Sequence, residues 1–268
     1  MPCFTDSHCH LTSESFVQDL DLVIAAALDA GVDKIVVPGV DLESSIKAVE
    51  LANSHAHLYA AVGVHPEACG QYSADQLVAL RALAQDKKVV AVGEIGLDFH
   101  YQPTDVELQK SVFVEMLALA SSVGKPVLIH SRDSMETVLQ MVNVWVEDLR
   151  MNSNNDLLLS PGIFHAFEGD LDQANQAVQN HFALGVGGPI TYKNATLKHL
   201  VFSQIELEHL VLETDAPYLP PTPFRGKRNE PSHIKEIAEK LSELSHQPLE
   251  SVAYRTTECS RNIFKWDK

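Results

Sequence analysis

Eight short runs rich in Val and Ile alternate with longer amphipathic or Ala/Leu-rich stretches along the 268 residues of this chain. Such alternation is the signature of repeated βα units, in which helices cover a parallel sheet. Strands are expected at 2–8, 33–39, 58–64, 89–94, 126–130, 162–165, 183–187 and 209–214. Helices are expected near 15–30, 42–55, 73–86, 105–123, 133–149, 170–181, 194–203, 231–245 and 248–264. Eight such units make an α/β fold of the (β/α)8 TIM-barrel kind, and the length suits one barrel domain spanning 1–268. Polar 151–156 reads as a loop, and Trp145 and Trp266 as packing residues in helices. The Pro-rich run 216–231 reads as a long loop after the last strand, where barrels carry substrate contacts.

Five of the apolar runs end in an imidazole or a carboxylate. His8 and His10 close CFTDSHCH, Glu94 closes VVAVGE, His130 closes PVLIH, His165 closes GIFH, and Asp215 closes LVLETD. A packed core has no use for such groups, because a buried unpaired charge or imidazole costs free energy. A metal centre at the C-terminal ends of parallel strands explains them. His8 and His10 are two apart on one strand, so both face the same side and can reach one ion. Asp6 shares their parity and could orient a ligand from below.

Six candidate ligands exceed the roughly three that a catalytic zinc takes beside water, and suit two ions sharing a carboxylate. Glu94 is the expected bridge. One ion would take His8, His10, Glu94 and Asp215; the other would take Glu94, His130 and His165. Mixed His/carboxylate ligation is compatible with zinc, manganese or magnesium.

Composition narrows the partners. With 36 acids against 20 Lys+Arg the net charge is −16, which argues against tight duplex binding through a broad basic face. Bound cations and one short basic segment, Arg225-Gly226-Lys227-Arg228, can still meet a phosphate-bearing substrate. His65 at the end of the third strand and Arg132 two residues beyond His130 are further candidates for substrate contact. Asp98 is expected to orient a ligand or to cap the following turn. No apolar stretch approaches the roughly 18 residues that span a bilayer, and no export signal is read at MPCFTDSHCH. Four irregularly spaced cysteines without a CxxC point to reduced thiols in a cytoplasmic protein, expected to be a monomer with no obligate protein partner.

HCH after the first strand, GEIGLD, IHSR, HAF, ETDAPYL and RGKRNEP, in that order, resemble the TatD family of metal-dependent hydrolases. The resemblance covers essentially the full chain. It implies an amidohydrolase-like barrel with a divalent-metal centre, whose ligands would fall on His8, His10, Glu94, His130, His165 and Asp215. It also implies nuclease activity of the 3′–5′ exonuclease type for some members. The expected activity is hydrolysis of phosphodiesters in DNA or RNA, with Glu94 and Asp215 catalytic and Asp215 as proton carrier. The alternative keeps the same centre and hydrolyses an ester or amide, including an aminoacyl ester on tRNA. A third reading is a non-catalytic metal-binding barrel.

Overall fold

A computed structural model describes residues 2–100, 105–152 and 155–266. The elements run β1 (Phe4–Asp6), α1 (Leu20–Asp29), β2 (Val32–Pro38), α2 (Leu42–Ser54), β3 (Leu58–Val62), α3 (Ala74–Leu83), β4 (Val89–Asp98), α4 (Val106–Val123) and β5 (Val127–Arg132). They continue with α5 (Met135–Met151), α6 (Asn155–Leu158), β6 (Gly162–Phe164), α7 (Leu171–Gln179), β7 (Ala183–Val186), α8 (Thr196–Phe202), β8 (Leu210–Leu212), α9 (Ile234–Ser245) and α10 (Leu249–Phe264). The eight strands form one parallel sheet in sequence order. The Ser7 N–H donates to Leu212 O at 3.0 Å and joins the first edge to the last, so the (β/α)8 barrel expected from the sequence is formed. Two details differ. The segment read as a loop at 151–156 holds the end of α5 and the start of α6, with 153–154 outside the described residues. Trp266 lies beyond α10, which stops at Lys265 in a left-handed conformation with φ 53°.

Strand parity explains both the barrel interior and the site above it. Ala61 shares parity with His65, Leu128 with His130, Ile163 with His165, and Val211 with Asp215. Those lower residues cluster with Val36, Ala91 and Ala183, and with Cys259, Ile263 and Phe264 of α10. The last turns of α10 thus plug the floor of the barrel, while the chemistry-bearing residues occupy its mouth. Most other apolar side chains form a second cluster, between the sheet and its surrounding helices.

β4 is buried along its whole length, Val89–Asp98, and carries a register shift against β5 between Val92 and Ile95. One extra residue there is a β-bulge, which bends a strand and re-aims its side chains. The bulge frees the Glu94 N–H from the β5 ladder, and it donates instead to Gly39 O at 2.8 Å. Among the described residues, no helix is long and apolar enough to cross a membrane.

Candidate metal centre

The mouth of the barrel brings all six expected residues together. His8 Nε2 lies 3.3 Å from Glu94 Oε2, and 3.2 Å from His10 Nε2. His10 Nε2 lies 3.6 Å from Glu94 Oε2 and 3.4 Å from Asp215 Oδ1. His165 Nε2 is 3.6 Å from the same Asp215 oxygen, and its ring stacks on His8 at 3.5 Å. On the other side His130 Nδ1 is 3.0 Å from Glu94 Oε1, with His65 Nε2 at 3.8 Å. The two oxygens of Glu94 therefore face different sets of imidazoles.

The donor set fits divalent ions. Ligands held about 2.0–2.1 Å from a tetrahedral ion stand roughly 3.3 Å from one another. The spacings around Glu94 Oε2 and Asp215 Oδ1, 3.2–3.6 Å, match that separation. Three groupings are close enough to share an ion: His8–His10–Glu94, His8–His165–Asp215 and His65–Glu94–His130. This differs from the division read from the sequence. His165 sits with His8 and Asp215 rather than with His130, because a closed barrel turns strand six towards strands eight and one across the mouth.

Main-chain hydrogen bonds hold the ring of candidate ligands. The Asp215 N–H donates to His8 O at 2.9 Å, and the His10 N–H to Ala216 O at 2.8 Å. Asp215 adopts φ 56°, a left-handed conformation that is costly for most residues. Asp6 does not touch an imidazole. It is wholly buried and accepts from the His8 and Thr214 N–H groups and the Thr214 hydroxyl, fastening β1 to the end of β8. Burial pushes its carboxyl up to about 7, against the opposing hydrogen bonds from Thr214.

Asp98 fulfils both of its sequence readings. Its Oδ2 faces His130 Nε2 at 3.1 Å, and its Oδ1 accepts the His100 N–H at 2.8 Å. Burial would raise the Asp98 carboxyl, but the His130 ring and the His100 N–H, with a smaller contribution from the Arg132 charge, hold it below its ordinary value. His65 caps the short helix Pro66–Gln71, its Nδ1 accepting the Glu67 N–H at 3.2 Å. An imidazole that accepts at Nδ1 carries its proton on Nε2 when neutral, and burial keeps this ring neutral by lowering it to about 4. His65 therefore offers a donor to the mouth, where a ligand would need a lone pair.

The basic loop is less available than its composition suggests. Arg228 donates to both oxygens of Asp19 at 2.8 and 2.7 Å and to Glu230 at 2.8 Å, over the ring of Phe16. Expected to meet substrate, Arg228 is instead committed to the protein's own carboxylates. Asn229 is buried, donating to Thr214 O and Tyr218 O. Arg225 is exposed, with its guanidinium 4.1 Å above the Tyr192 ring. One residue escaped the sequence reading altogether. Glu213, wholly buried, stands 3.1 Å from His165 Nδ1. The signal was available, since Glu213 shares parity with Asp215 in LVLETD.

Charge among these side chains is distributed unevenly. Burial would raise Glu94, but His8, His65 and His130 overcome it and hold its carboxyl well below the ordinary range. Burial likewise opposes protonation of His130 and His165, yet the facing carboxylates lift them to about 9 and about 10. Both values exceed the ordinary 6.5, so their contribution to stability is complete below 6.5 and is lost as pH rises through 9 to 10. Divalent ions need unprotonated imidazole, so loading at neutral pH should expel a proton from each ring, and apparent affinity should climb with pH. Calorimetric titration in buffers of different ionisation enthalpy measures this. About two protons released is the expected result; none would show that ions leave both rings alone.

Comparison with known proteins agrees with this geometry. The chain matches the family described as "TatD related DNase" over residues 5–265. It belongs to the TatD family. An uncharacterised metal-dependent hydrolase of Bacillus subtilis, YabD, is 37% identical over 97% of this chain and 98% of its own. The 3′–5′ ssDNA/RNA exonuclease TatD of Escherichia coli is 32% identical over 96% of each chain. The crystal structure of YjjV, a TatD homologue from E. coli, superposes with a TM-score of 0.89 at 34% identity, covering 99% of both chains. Membership of this metal-dependent hydrolase family makes the chain a hydrolytic enzyme, and the His/Glu/Asp groupings at the barrel mouth are ones that could hold a metal ion.

Proposed function

We propose that this protein removes nucleotides from the 3′ end of single-stranded DNA or RNA, using two divalent ions held by His8, His10, Glu94, His130, His165 and Asp215. The observation that carries the reading is the two-sided setting of Glu94, whose oxygens each face a different group of imidazoles. A paired centre of this kind suits in-line displacement at phosphorus. The E. coli TatD exonuclease, similar over nearly the whole chain, supports the choice of substrate. When bound, the ions lower the pKa of water and offset the charge of the phosphoryl group.

The remaining work falls to the chain. Burial disfavours the charged form of Asp215, but His165 and His10 outweigh it and keep the carboxylate ionised. It accepts the proton of the attacking water at an oxygen and later returns it to the leaving group. His65 donates a hydrogen bond from its Nε2–H to an oxygen of the scissile group. Arg225, stacked on Tyr192, joins the loops after β7 and β8 and meets the phosphate next along the strand. Access through a barrel mouth favours a chain terminus over the interior of a duplex.

A second reading, hydrolysis of an ester or amide, gains from the commitment of Arg228, which leaves Arg225 to carry the phosphate contact. Arg225→Ala separates the two. Loss of a charge-assisted contact of about 1.5–3 kcal/mol should lower kcat/KM for a phosphodiester by roughly 10–100-fold. A neutral ester should be almost unaffected. Equal losses on both substrates would count against the nuclease reading.

A further inference from the structure

We infer that Glu213 is a positioning residue whose buried carboxylate fixes His165 in the tautomer with its proton on Nδ1, turning the Nε2 lone pair towards His8 and Asp215. Glu213 lies immediately after β8 and has no exposed surface. Its two oxygens grip consecutive residues of the segment after β6. Oε1 accepts the Ala166 N–H, and Oε2 stands 3.1 Å from His165 Nδ1. The ring N–H points off the line between those last two atoms, yet among the described residues neither has another hydrogen-bond partner. A buried donor and a buried acceptor so placed are satisfied by one another or not at all.

A second observation shows that space is reserved for this carboxylate. A Cβ on Gly185, in the middle of β7, would lie 2.5 Å from each Glu213 oxygen. Glycine weakens a strand interior and commonly marks a close approach, here by a side chain from the neighbouring strand. The chemistry follows from the acceptor-only character of a carboxylate. It selects the imidazole tautomer with N–H on the side facing it, and leaves the other nitrogen free to bind an ion. His165 Nε2 lies on the opposite side of the ring, 3.6 Å from Asp215 Oδ1. His130 is backed in the same manner by Asp98, at 3.1 Å.

The inference rests on the reading of His165 as a metal ligand and is independent of the choice of substrate. Glu213→Gln preserves size but replaces one acceptor with a donor. With its oxygen kept by the Ala166 N–H, its amide N–H group faces His165 Nδ1 and favours the tautomer that has no lone pair at Nε2. Zinc affinity of the purified full chain, measured by competition titration, should fall about 10–100-fold, while circular dichroism shows the fold retained. Gly185→Ala should weaken zinc binding through the same carboxylate. Nitrogen-15 NMR of the zinc-loaded wild type, assigned by the loss of signal in His165→Ala, should place the His165 proton on Nδ1. A proton on Nε2, or wild-type zinc affinity in Glu213→Gln, would overturn the inference. The NMR result decides the question even where Glu213→Gln or Gly185→Ala does not fold. Unchanged zinc affinity in His165→Ala would remove the ligand reading and this inference together. Loss there with full affinity in Glu213→Gln would remove this inference alone.

Discussion

Glu94→Ala should reduce turnover by about three orders of magnitude or more and should lower the metal content of the purified protein. The size of the effect follows from geometry. Oε2 stands 3.3 and 3.6 Å from His8 and His10, while Oε1 stands 3.0 and 3.8 Å from His130 and His65. Removing this carboxylate leaves two of the three ligand groupings without an anionic member. It also removes the charge that counters the neighbouring imidazoles, at a buried position. Metal analysis, circular dichroism and kcat/KM on one preparation check the prediction. Activity retained at the wild-type level, with metal bound, would dismiss Glu94 from the centre.

Asp215→Asn should lower kcat by roughly 10²–10⁴-fold with the fold retained by circular dichroism. Asparagine is the informative substitution because residue 215 has φ 56°. Asn enters the left-handed region readily, whereas other side chains pay about 1–2 kcal/mol there. The backbone bond from residue 215 to His8 O is then preserved, and only the charge and the proton-accepting oxygen are altered. An alanine variant would mix that loss with backbone strain. Full activity in Asp215→Asn, with metal retained, would move the proton transfer to another group.

Much of this arrangement was legible in the sequence, for reasons visible residue by residue. Each of His130, His165 and Asp215 ends an apolar run, so strand direction alone sends them to one end of the barrel. The two-residue period of a strand puts His8 and His10 on one side, and although β1 ends at Asp6 they still meet at the barrel mouth, 3.2 Å apart at Nε2. Strand order, however, does not say which imidazole meets which carboxylate. His165 joins His8 and Asp215 because the mouth is narrow enough for rings from strands six and one to stack at 3.5 Å. The bulge at the Glu94 position inserts one residue without any change in apolar pattern, so periodicity does not reveal it. Arg228 looked like a phosphate contact because Asp19, its partner, lies 209 residues away in the chain. Glu213 stayed hidden behind its neighbour Asp215, since a carboxylate that orients a ligand and one that binds an ion look alike in sequence.

The central claim is that this metal centre cleaves phosphodiesters from a 3′ end. The most direct measurement uses 5′-end-labelled single-stranded DNA and RNA, with metal-stripped protein and the same protein reconstituted with zinc, manganese or magnesium, beside an ester and amide panel. The account predicts a ladder of stepwise shortening from the 3′ end that requires added metal and disappears in Asp215→Asn. Intact labelled strands, together with metal-dependent turnover of an ester or amide, would contradict it.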